Sequence, residues 1–78
     1  MVKVALTGWD AGFVANRLTA LLREFGYGLA EAHGKSSALA AGQIVELSFD
    51  RPEEARQFVE RARSLNVHAA TEREAGAA

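Results

Sequence analysis

Residues Arg23 to Lys35 read REFGYGLAEAHGK, and the course of the backbone after the first two glycines decides the fold. As a strand, the segment from Tyr27 would put Tyr27, Leu29, Glu31 and His33 on one face and Gly28, Ala30 and Ala32 on the other, with no β-branched residue. Glycine, alanine, glutamate and lysine are all depleted in strands, so neither face makes a good sheet surface. As a helix, Leu29, Ala32, Ser36 and Leu39 fall at i, i+3, i+7 and i+10, a narrow stripe of mostly small residues able to lie close against another helix. Gly34 opposes this by about 1 kcal/mol relative to alanine, while Gly42 supplies a stop. The pattern predicts a helix. The chain then reads β-α-α-β-α-β, an α+β fold with a three-stranded antiparallel sheet and three helices on one face. The strand reading gives the alternative, a ferredoxin-like β-α-β-β-α-β sandwich.

Working outward, Val2, Val4 and Leu6 alternate with Lys3, Ala5 and Thr7, the period of a strand with one buried face. GWDAG is expected to break that strand, with Asp10 accepting a hydrogen bond at the start of the next helix. Val14, Leu18, Leu21, Leu22 and Phe25 form that helix's apolar stripe and leave Asn16, Thr19, Ala20 and Arg23 on its other side. Gly26 is its natural end, because a helix exit commonly needs positive φ. Gln43 to Phe49 alternates again, with Val45, Leu47 and Phe49 inward. In DRPEE, Asp50 is the expected N-cap, Pro52 sits in the first turn and Glu53 takes the capping-box position. Ala55, Phe58, Val59, Ala62 and Leu65 form the stripe of this last helix. Its charged face is expected to carry pairs such as Arg56 with Glu60. Asn66 caps it, and Val67 to Glu72 is the third strand. One domain over residues 1–73 is expected, with 74–78 a frayed tail.

The chain has 78 residues, about half of them hydrophobic, and many of those are alanine. Such a core is thin, and a protein partner or a second copy in a homodimer would add buried surface. A net charge of −1 with no Lys/Arg stripe gives nucleic-acid binding little electrostatic support. Cysteine is absent, which removes disulfides, thiolate chemistry and cysteine-based zinc sites together. No apolar run approaches the ~20 residues of a membrane span, and MVKVALTGWD lacks the apolar core of a signal peptide. The expectation is a cytoplasmic protein without membrane attachment.

LTALLREFGYGLAEAHG resembles the turn between the first two helices of the C-terminal domain of the bacterial ribosomal stalk protein, where an R-x-x-x-GLGLKEAK type of motif closes one helix and opens the next. VELSFDRPEEARQFVERARSLNVHA is similar to that domain's last strand-helix-strand unit, so the likeness spans residues 2–72. Gly26 to Ala32 is its most specific part. The adaptor that delivers N-degron substrates to the Clp protease shares the fold, but its Asn-Asp-Asp signature is replaced here by Gly8-Trp9-Asp10. The stalk resemblance implies that the outer face of the first two helices docks a protein partner, in that family the translation GTPases. Arg23 matches the family's arginine at the end of the first helix, whereas Ala20 and His33 stand at basic positions and Ala30 replaces another lysine. Without the stalk's dimerisation region and hinge, a stand-alone relative is expected.

A rival resemblance is to the ACT regulatory domain, in which an Asp-x-x-Gly turn leads into a helix ending in G-[IV]-N-[IL]. Asp10 and Gly26 have that family's separation, although Gly12 falls one residue early and Gly28 replaces the asparagine. The ACT resemblance implies an amino-acid pocket at a dimer interface that includes Asp10, Gly12 and Gly28. A third reading is a structural subunit pairing through its open sheet face.

For docking, the candidate residues are Asn16, Thr19, Ala20, Arg23 and His33, with Trp9 as an aromatic anchor from a loop or, more simply, a lid on the core. His33 and His68 without cysteine or a spaced carboxylate are a poor metal set, and no metal or other cofactor is expected. GWDAG lacks the Lys-Ser/Thr of a P-loop. No Ser/His/Asp or Cys/His arrangement is evident, so no catalytic residue is assigned and the expected role is not enzymatic.

Overall fold

The computed structural model describes residues 2–72. The elements run β1 (Val2–Trp9), α1 (Ala15–Glu24), α2 (Leu29–Ala40), β2 (Val45–Phe49), α3 (Pro52–Ser64) and β3 (Val67–Glu72). This is the β-α-α-β-α-β order, not the ferredoxin-like alternative. The tail assigned to 74–78 lies outside the described residues.

The segment that decides the fold is helical because two local devices act in sequence. After Phe25, Gly26 adopts φ +98°, the left-handed conformation that glycine enters without strain. The Gly26 N–H then donates to the Arg23 carbonyl and the Tyr27 N–H to the Leu22 carbonyl, both at 3.1 Å, which closes α1 in a Schellman motif. Extended Gly28 is the N-cap of α2, and its carbonyl accepts the Ala32 N–H at 2.8 Å. Ala32, Ser36 and Leu39 are buried, as the stripe predicts, but Leu29 in the first turn is 59% exposed. The same carbonyl pattern at Leu39 and Ala38, with Gly42 at φ +93°, ends α2.

Gly34 lies within α2, and a β-carbon there would meet nothing within 4 Å. Gly34→Ala should therefore stabilise the fold by about 0.5–1 kcal/mol. That is a rise in Tm of roughly 4–8 °C per kcal/mol at this size, measurable by thermal circular dichroism. An unchanged or lower Tm would argue against a helical backbone at Gly34.

The sheet order is β2-β1-β3, antiparallel throughout, with Val4 opposite Leu47 and Thr71. Val4, Leu6, Val45, Leu47, Phe49, Val67 and Ala69 are buried on one face, where α2 and α3 lie on the sheet; Ala32 and Leu39 of α2 and Ala55, Phe58, Val59 and Ala62 of α3 share that core with Leu18, Leu21 and Leu22 of α1, which packs on the other two helices. Lys3, Thr7, Glu46, Ser48, His68 and Ala70 leave the opposite face to solvent. Phe25, Phe49 and Phe58 close the core at one end, with ring centroids 5.3–5.8 Å apart.

Three local expectations are corrected. β1 does not stop before GWDAG but runs to Trp9 through a bulge, where Thr7 and Gly8 together face His68. The extra residue inverts the side-chain alternation, so Trp9 pairs with Val67 on the helix side instead of sitting on a loop. Asp10 does not cap α1: the N-cap is Val14, with no side-chain bond, and Val14 is 46% exposed instead of in the apolar stripe. The cap of α3 is likewise Arg51 without a side-chain bond, so neither Asp50 nor Glu53 completes a capping box. Pro52 does occupy the first turn, and Glu53 and Glu54 there favour the helix dipole.

Candidate protein-docking face

The α1–α2 seam is set by small residues. Thr19 Oγ1 lies 2.9 Å from Ser36 Oγ and 3.2 Å from the Ala15 carbonyl oxygen, so the two helices touch through a hydroxyl pair. Two hydroxyl protons suffice for these two bonds, and Ser36, only 1% exposed, is left with no unsatisfied oxygen. Thr19 is therefore half-buried in the seam and not part of an outer surface, which corrects its expected place. The remaining candidates on the helices, Asn16, Ala20, Arg23 and His33, are all exposed.

Electrostatics separate the two ends of this face. Glu24 is drawn away from it to Arg61 on α3, whose Nη2 lies 2.9 and 3.1 Å from the two carboxylate oxygens. Arg17 and Arg23 have no carboxylate within 4 Å among the described residues. Arg17 is exposed on α1, on the flank it shares with Glu24 one helical repeat away. Leu29 escaped notice, because a first-turn position counts as part of the stripe in sequence but lies beyond the packed seam. The expected Arg56–Glu60 pair is not formed; the Arg61–Glu24 bridge stands in its place.

Trp9 is 44% exposed but anchored, its indole N–H donating to the Leu39 carbonyl at 3.0 Å while its ring meets Phe13 at 5.5 Å. It ties β1 to the end of α2.

The residues assigned to an effector pocket are divided. Asp10 and Gly12 precede α1 and Gly28 follows it, and a helix of that length spans about 15 Å. Asp10 and Gly12 instead clasp the α3–β3 turn. The Asp10 N–H donates to the Asn66 carbonyl at 2.9 Å, and Asp10 Oδ2 lies 2.9 Å from His68 Nε2. Gly12, at φ +100°, has no room for a β-carbon, which would fall 2.8 Å from Asn66 Nδ2. Asn66 itself takes φ +65°, the left-handed cap expected of it.

Compared with protein families, characterised proteins and solved structures, the chain finds no match. The geometry alone bears on function. No group of three or more metal-ligating side chains forms among the described residues, and no helix there is long and apolar enough to cross a membrane. A groove runs between Tyr27, Glu31 and Lys35 and the β2 residues Glu46 and Ser48. Tyr27 lies over it with its hydroxyl on the Ser48 carbonyl at 3.3 Å. Burial, opposed by that hydrogen bond and reinforced by Glu31, raises the Tyr27 pKa above its usual value. The phenol is thus a neutral donor at physiological pH.

Proposed function

We propose that this chain is a small non-catalytic protein-interaction module of the ribosomal stalk C-terminal type, cytoplasmic and without a cofactor, docking a protein partner through the outer face of α1 and α2. One observation carries the reading: among the described residues Arg23 has no carboxylate within 4 Å and stands with exposed Asn16, Ala20 and His33, while the neighbouring Glu24 is held by Arg61. A guanidinium group next to a small alanine and a polar asparagine suits an acidic protein surface, since arginine binds carboxylates in a fixed fork. The β-α-α-β-α-β order and the Gly26 to Ala32 turn support the same reading. Thr19 contributes indirectly, by fixing the angle at which α2 presents His33.

The test compares partners retained by the immobilised wild-type chain with those retained by Arg23→Glu and by Arg56→Glu on α3. Arg23→Glu should lower the affinity of the retained partner at least about ten-fold, of order 1.4 kcal/mol, whereas Arg56→Glu should leave it unchanged. Equal retention by all three proteins removes this face from binding. Unchanged circular dichroism of both variants ensures that surface, not folding, is compared.

A further inference from the structure

With the order β2-β1-β3, β3 has one edge that pairs with no strand among the described residues. The direction of its backbone groups can be read from two bonds. Asn66, just before the strand, turns its carbonyl inward to the Asp10 N–H. Strand periodicity then directs the N–H and C=O of residues 68, 70 and 72 towards β1 and those of Val67, Ala69 and Thr71 outward. Arg63 agrees: its Nε–H donates to the Ala69 carbonyl at 3.3 Å. A charged side chain placed on an outward carbonyl is a common way of blunting an edge strand.

We propose that the outer edge of β3 is a pairing surface for a second copy of this chain, antiparallel about a two-fold axis at Ala70, and that Arg63 holds it in check. The sequence VHAATE is self-complementary in this register. Ala69 faces Thr71 of the second copy, both with outward N–H and C=O groups, so the backbone bonds are matched. Ala70 meets its own counterpart, where two methyl groups allow close approach. On the open face His68, whose Nε2 lies 2.9 Å from Asp10 Oδ2, comes opposite Glu72 of the second copy, twice over, a polar cross-strand pair. The edge of β2 offers less. Its in-phase two-fold about Leu47 sets Glu46 against Ser48, and Tyr27 lies on the Ser48 carbonyl. Pairing through β3 would join the two sheets into one continuous sheet and leave the α1–α2 face free, so this inference does not depend on the docking proposal.

In the proposed register Ala70 forms a non-hydrogen-bonded pair with Cα atoms about 4.5 Å apart, within the range a disulfide spans. The chain has no cysteine of its own, so single-cysteine variants are clean probes. In sedimentation equilibrium, Arg63→Ala should dimerise with a Kd at least ten-fold below that of wild type. On oxidation Ala70→Cys should cross-link, and Ser48→Cys on β2 should not, in either background. Arg63→Ala sedimenting as the wild type does, or Ser48→Cys cross-linking as readily as Ala70→Cys, overturns the proposal. Because the cysteine comparison also runs in the wild-type background, it decides the matter even if Arg63→Ala fails to fold.

Discussion

Phe58→Ala should remove about 3–5 kcal/mol of folding stability. Phe58 is fully buried and joins three parts of the chain. Phe25, at the C-cap of α1, meets it edge-on at 5.4 Å and 87°, and Phe49 of β2 lies at 5.3 Å. Truncation removes the transfer free energy of the ring and leaves a cavity that two other rings cannot collapse into without losing their own geometry, together about 3–5 kcal/mol. At about 0.05–0.15 kcal/mol per residue, a domain of this size has roughly 4–12 kcal/mol in total. One side chain thus carries a large share of the stability. Urea unfolding followed by circular dichroism measures it, and a loss below about 1 kcal/mol would mean that the three rings do not form a common cluster.

The place of Phe58 was readable from sequence, because its helix carries a strong apolar period and starts at Pro52. The same holds for β2 and β3, where alternation decides burial residue by residue: Val45, Leu47 and Phe49 are buried while Glu46 and Ser48 are exposed. α2 was readable for a different reason. Its stripe is weak in hydrophobicity, but alanine and serine at Ala32 and Ser36 permit the close approach that a strand reading could not use. What the sequence did not reveal are features set by tertiary geometry. Asp10 does not cap α1, its carboxylate pairing instead with His68, a residue remote in sequence. The bulge at Thr7 and Gly8 was hidden because alternation counts residues and cannot show an unpaired one. Once present, it turns Trp9 to the helix side, where the indole reaches Leu39.

The candidate docking face was readable as a list of outward positions and less so as a surface. Helical spacing alone puts Thr19 with Asn16 and Arg23, but it cannot say how deep a neighbouring helix settles, and Ser36 takes Thr19 into the seam. Charge availability was equally invisible, since it depends on Glu24 reaching across to Arg61. The self-complementarity of VHAATE becomes readable only when the outward carbonyl of Ala69 is known.

Leu39→Ala tests the helix on which the architecture rests, and its contrast with Leu29→Ala gives it force. Both leucines belong to the stripe that predicts α2, yet Leu39 is fully buried and Leu29 is 59% exposed. Leu39→Ala should cost about 2–5 kcal/mol, while Leu29→Ala should stay within about 0.5 kcal/mol of wild type, as exposed substitutions do. Trp9, the single tryptophan, reports on the first directly because its indole donates to the Leu39 carbonyl. As α2 loosens, Trp9 emission should shift to the red at lower urea concentration than in wild type, in step with the circular dichroism. Equal midpoints for the two variants would mean that Leu29–Ala40 does not pack as this helix. The seam between Thr19 and Ser36, and the arginine face that the seam supports, would then lose their basis.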